Sequence, residues 1–230
     1  MINIMFGLAV YFLLEFYVRK VSFELTQIGK PNDFLNKYKW ECWKDIAILI
    51  SPGYWLARYY KDEIKSKQDY LPCHLKIFIK ANNKINLWLS LSLLFILSLL
   101  SPLNIIAFFQ PLIIWRFLSR SFEIMYAFGN DVVNDNKQQK SNLTKYDRIK
   151  LALSSYIEIF IYSSCFYLVT VKDIEPTTAV LISLGVGTLT NVKNELFECN
   201  NIVTFAAYIQ VFTTLSLVVL SLAIYVSRKK

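Results

Sequence analysis

The stretch TTAVLISLGVGTLTNV, residues 177–192, decides how this chain is read. It is apolar, carries Thr177, Thr178, Ser183, Thr188 and Thr190, and holds two of the chain's six glycines, Gly185 and Gly187. Pro176 before it suits the first position of a helix, so a short helix of about two and a half turns is expected, to near Ser183 or Leu184. That length cannot cross a bilayer core of about 30 Å. Non-helical backbone at membrane depth survives only where protein buries it or where it lines water, so the expectation is a re-entrant half-helix followed by a Thr/Gly strand beside a cavity or pore. A loop lying on the membrane surface is the plainer alternative.

The flanks make a membrane setting the natural one. Long apolar blocks occupy 149–171 and 202–226, and apolar residues make up 55% of the chain in blocks rather than in the sprinkled periodicity of a soluble core. A further run, 2–18, is about 17 residues or ~25 Å as a helix, with Arg19 and Lys20 directly behind it. Charges on that side, with no small-residue cleavage site, predict a retained anchor rather than a signal peptide. The block 85–118 is too long for one span, and Ser101-Pro102-Leu103-Asn104 supplies a break between two.

Charge orients these spans. Residues 19–84 hold 13 Lys/Arg, 119–150 hold 6 and the tail ends Arg228-Lys229-Lys230, whereas 172–201 hold Lys172 and Lys193 against four acids. Two crossings in 85–118 place every basic loop on one side, as the positive-inside rule requires. The expected fold is therefore all-α and integral to the cytoplasmic membrane. It has about five transmembrane helices and a re-entrant segment between the last two, with the amino terminus outside and the carboxyl terminus in the cytoplasm. The expected divisions are an anchor at 1–18, a basic interfacial region at 19–84, a two-helix hairpin and connector at 85–125, a loop at 126–148 and a final module at 149–230.

Two polar faces stand out in that final module. At 100° per residue Ala206, Gln210, Thr214, Leu217 and Ser221 share one face of the last helix, with Val203 and Thr213 beside them. Such a stripe either lines water or bonds a neighbouring helix in lipid. Glu158, near the middle of the preceding span, shares a face with Ser154, Ser155, Tyr162 and Cys165. An acceptor of hydrogen bonds from a neighbouring helix and a proton relay are its two readings. Glu15 is expected at the membrane interface, and Arg116 and Arg120 are expected to snorkel to lipid phosphates, with Glu123 one turn from Arg120.

Three stretches carry a resemblance to a family. Ser155-Tyr156-Ile157-Glu158 is similar to an Asn-Tyr-x-Glu pattern of outer helices, 183–196 lies at the place of a filter, and Arg120-Ser121-Phe122-Glu123-Ile124 resembles an amphipathic connector. Together they resemble the pore module of bacterial potassium-channel-like proteins. The resemblance implies a homotetramer passing monovalent cations, with Ser183, Gly185, Gly187, Thr188, Leu189, Thr190 and Asn191 as filter candidates. The chain departs from the family's Thr-x-Gly-Tyr-Gly-Asp, since it has no Gly-Tyr-Gly or Gly-Phe-Gly. Matching Thr188-Leu189-Thr190 to the filter entry puts Lys193 and Glu195 where the glycines stand, and Gly185-Val186-Gly187 is the competing register. Side chains resist the backbone angles of a carbonyl ladder, so the residues point to altered selectivity or to a pore that no longer conducts.

The remaining classes fall away. One histidine and four scattered cysteines offer no metal cage or disulfide framework. No nucleophile elbow, nucleotide loop or paired acids argue for an enzyme, and no cofactor is implied. The net charge of +8 is spread over loops rather than gathered in a stripe, which suits lipid headgroups and not nucleic acid. A non-conducting accessory or immunity-type protein that binds another membrane protein is the alternative to a channel-like protein.

Overall fold

The computed structural model describes residues 2–29, 51–103, 106–133, 142–191 and 201–222. Among them every regular element is helical: α1 (Ile2–Glu24), α2 (Pro52–Ser66), α3 (Pro72–Leu100), α4 (Gln110–Val133), α5 (Lys145–Thr170), α6 (Pro176–Gly187) and α7 (Asn201–Leu215). α7 continues as a π-helical turn over Ser216–Leu222. Among the described residues three helices are long and apolar enough to cross a membrane, Pro72–Leu100, Lys145–Thr170 and Asn201–Val219, as a multi-pass membrane protein requires.

Local chemistry sets the helix ends. Pro52, Pro72 and Pro176 each sit in the first turn of a helix, where a missing N–H costs nothing. Ser51 caps α2 by accepting from the Tyr54 N–H at 3.3 Å. Thr144 and Asp147 form a reciprocal box at the start of α5, each side chain accepting the other's backbone N–H, at 3.2 and 3.1 Å. Asp147 also bridges α5 to α3, with Lys76 at 2.8 Å and Lys80 at 2.5 Å. α3 ends at Leu100 and a 3-10 turn spans Ser101–Leu103, where the Ser-Pro-Leu sequence stops the helix.

α5 is the centre of the assembly. Its span is 67% buried against 17% for α3, because α3, α4, α6 and α7 all pack on it. The paired block expected at 85–118 therefore does not close as a simple hairpin: α3 and α4 each pack more extensively on α5 than on one another. The main core gathers Phe117 of α4, Tyr162, Cys165 and Phe166 of α5, Ala179 and Val186 of α6, and Val203 and Ala206 of α7. The outward faces are apolar too, with Trp88, Phe95 and Leu99 on α3 and Phe205, Tyr208 and Phe212 on α7. In water such faces would be costly; against acyl chains they are ordinary solvent contact.

α6 differs from the expected half-helix and strand. It runs on to Gly187, and residues 188–191 form a capping turn rather than an extended segment. Packing is the reason. A Cβ at Gly187 would lie 2.1 Å from Phe160 Cε1, so glycine here allows helix to approach helix instead of loosening the backbone. At 12 residues, or about 18 Å, α6 cannot cross a bilayer.

Candidate functional site

The face of α7 expected to be polar points into the chain's own core. Val203, Ala206, Gln210, Thr213, Thr214 and Leu217 are all buried, while Ile202, Phe205, Tyr208 and Phe212 face outward. Gln210 makes three side-chain hydrogen bonds there. Its Nε2 donates to the Ser183 carbonyl at 2.8 Å and Ser183 Oγ at 3.1 Å, and its Oε1 accepts from Tyr167 Oη at 2.9 Å. Ser183 Oγ in turn donates to the Phe160 carbonyl at 2.7 Å. These bonds tie α5, α6 and α7 together. Thr213 and Thr214 spend their hydroxyls on the carbonyls of Ile209 and Gln210 one turn back. Ser221 lies in the π-helical end, and its side chain is outside the described residues.

The filter candidates split into two groups. Ser183 and Gly187 are buried against α5 and α7, whereas Thr188, Leu189, Thr190 and Asn191 are exposed. The Gly185 carbonyl accepts the backbone N–H of both Thr190 and Asn191 at 3.0 Å, and Leu189 adopts the left-handed region at φ 62°. This is a helix cap of the Schellman type, with leucine where glycine is usual. Residues 192–200, including Lys193 and Glu195 of the other register, lie outside the described residues.

A second polar centre, which α5 enters through Glu158, gathers six buried charged side chains. Arg19, Arg116 and Arg120 meet Glu15, Glu123 and Glu158, and all six side chains are less than a tenth exposed. Arg120 reaches Glu158 with both ends of its fork, Nε to Oε1 at 2.7 Å and Nη2 to Oε2 at 2.8 Å, and sends Nη1 to Glu123 Oε2 at 2.5 Å. Glu123 also receives Arg19 Nη2 at 2.7 Å. Arg19 stands 3.2 Å from Glu15 Oε2 and donates to Asn82 of α3. Arg116 donates to Glu15, to Asn86 Oδ1 at 2.5 Å and through Nε to Tyr162 Oη at 3.0 Å. Beside these charges Tyr11 Oη donates to Ser119 Oγ at 2.6 Å.

Formal charge cancels within this network, since three guanidinium groups face three carboxylates. That balance explains how α1 and α4 pack against the apolar helices despite Glu15 and Arg19 on one and Arg116, Arg120 and Glu123 on the other. A lone charge near a helix centre opposes membrane insertion by about 2.5–3.5 kcal/mol, and paired and hydrogen-bonded charges lose most of that penalty. Burial bears on two expectations here, and it corrects the first. Arg116 and Arg120 do not snorkel to lipid, being 0% and 3% exposed, because carboxylates of α1 and α5 and their own neighbour Glu123 lie within reach. Glu15 faces protein rather than lipid or water: it is 0% exposed, between Arg19 and Arg116.

Glu158 sits midway along α5 and is the charge that α5 brings to this network, with Tyr162 one turn on. Lys61 of α2 lies at its edge, where burial lowers its pKa from the usual lysine value and Glu123 pulls the other way. Reading helices singly misses this centre. The signal available was Glu15 and Arg19 four residues apart, opposite Arg116, Arg120 and Glu123 spaced by four and three.

Groups of three or more His, Cys, Asp or Glu placed to hold a metal ion are absent among the described residues. The arrangement of long apolar helices around a balanced ionic centre is that of a helical membrane protein. No known protein family, curated protein or solved structure matches the chain.

Proposed function

We propose that the chain is a multi-pass membrane protein that works by associating with other membrane helices, and that it does not conduct ions along its own α6–α7 path. The inward bonding of Gln210 carries this reading. Its three bonds stay inside one subunit and its face is sealed by α5 and α6, so the polar wall a pore would need is turned inward. The outward face of α7, with Ile202, Phe205, Tyr208 and Phe212, suits lipid or a partner's helix and offers water no hydrogen bonds beyond one phenol. Basic residues concentrated in 19–84, 119–150 and the tail favour a cytoplasmic side for those segments, with lipid headgroups as their partners.

One feature favours the second reading, cation permeation through an oligomer of potassium-channel-like pore modules. α6 is too short to cross, is held between α5 and α7, and presents Thr188, Leu189, Thr190 and Asn191 outward at its end, free to face an axis shared by several copies.

Planar bilayer recording separates the two. Purified full-length protein is expected to stay silent in potassium and sodium salts at all voltages, while a fluorophore on Phe212→Cys reports energy transfer between copies or to an added partner in liposomes. Unitary currents that change with Thr190→Ala or Asn191→Ala overturn the first reading in favour of the second.

A further inference from the structure

We infer that α2 is seated on the buried helices by the Glu15 carboxylate at its N-terminus, which makes α2 a charge-dependent latch on the ionic network. The inference starts from an unpartnered atom. Glu15 Oε2 is buried and has no hydrogen-bond partner, its nearest cation being Arg19 at 3.2 Å. The first turn of α2 lies directly against it: a Cβ on Gly53 would stand 2.9 Å from that same oxygen and 3.1 Å from Oε1. Gly53 is the second residue of a 15-residue helix, at the positive end of its macrodipole, which favours an anion; Pro52 has no N–H there, and Ser51 takes those of Tyr54 and Trp55. The carboxylate is therefore the intramolecular ligand of this helix end, and glycine is there because no side chain fits between them.

A separate set of contacts aligns with it. The N-cap hydroxyl Ser51 Oγ lies 2.9 Å from Ser119 Oγ and donates to the Ser119 carbonyl at 3.0 Å, joining the same helix end to α4 between Arg116 and Arg120. Further along, Tyr60 packs on Phe23 of α1, with ring centroids 5.5 Å apart. α2 thus meets the charged centre at its N-terminus and apolar side chains of α1 beyond. Neutralising Glu15, or filling the space at Gly53, removes the polar half of that seat and leaves the apolar half insufficient to hold the helix down. The latch is independent of whether the protein conducts.

Thiol labelling tests this on the full chain in nanodiscs, with the four native cysteines replaced by alanine. Ala57→Cys places a thiol on the buried face of α2 and Ala152→Cys places one in α5, both at positions 3% exposed. With a water-soluble maleimide both are expected to react slowly. Glu15→Gln and Gly53→Leu are each expected to speed labelling at position 57 about tenfold, leaving position 152 protected. If Glu15→Gln exposes position 152 as well, Gly53→Leu, which leaves every charge in place, decides alone. Continued protection of position 57 in Gly53→Leu overturns the latch, as does equal exposure of both positions in that variant.

Discussion

Arg120 holds Glu158 through two parallel hydrogen bonds, Nε to Oε1 at 2.7 Å and Nη2 to Oε2 at 2.8 Å, joining α4 to the middle of α5. A bidentate pair this buried fixes both the rotation and the depth of one helix against the other, since a shift of a single residue would part the fork from the carboxylate. Removing one partner leaves an uncompensated charge in a low-dielectric core, at about 3–5 kcal/mol. Glu158→Gln is therefore expected to lower the melting temperature of detergent-solubilised protein markedly. The double variant Arg120→Met with Glu158→Leu should recover much of the loss. A Glu158→Gln protein that melts with the wild type would show that the pair has no structural role.

The two polar centres of α5 were unequally legible in sequence. Apolar blocks located α3, α5 and α7, Pro176 located the start of α6, and the Ser-Pro-Leu turn located the end of α3, because each of these is a local signal. The ionic network is not local. Glu15 and Arg116 are 101 residues apart, and hydropathy read along one helix counts their charges as a penalty, although together they cancel it. The α7 stripe shows the opposite limit. Its polar residues were visible, but periodicity gives a face without saying what that face meets, and here it meets Ser183 and Tyr167.

At Gly187 three helices meet closely. A Cβ there would meet Phe160 at 2.1 Å and Gln210 Nε2 at 2.9 Å, and an aromatic ring against α5 cannot move aside as the end of a flexible chain would. Gly187→Ala should raise helix propensity by about 1 kcal/mol and still destabilise, since overpacking of a filled core costs about 1–3 kcal/mol. Thermal unfolding of Gly187→Ala alone and combined with Phe160→Leu checks this: the second substitution should relieve the first.

The cap of α6 makes a prediction of opposite sign. Leu189 is exposed and holds φ 62°, a conformation costing a non-glycine residue about 1–2 kcal/mol. Glycine removes that strain, at the expense of a more flexible unfolded chain. Leu189→Gly should thus be neutral or stabilising by up to about 1 kcal/mol, whereas Leu189→Val should destabilise. A large loss in the glycine variant would mean that the leucine side chain itself makes a needed contact, as a filter position or an interface between copies would require.

Lys61 offers a pH-dependent test. Its folded-state pKa is lowered, chiefly by burial, so the folded chain holds this proton less tightly than the unfolded one. Stability then rises with pH from the lowered folded value up to the ordinary lysine value near about 10.4, and below that window the full penalty applies. Lys61→Met removes the titrating group and keeps the stem's apolar contacts. The variant should melt above the wild type at pH 7, and the gap should shrink as pH approaches 10. A gap that is constant or that widens with pH would mean that Lys61 remains charged and paired, with Glu123 outweighing the cost of burial.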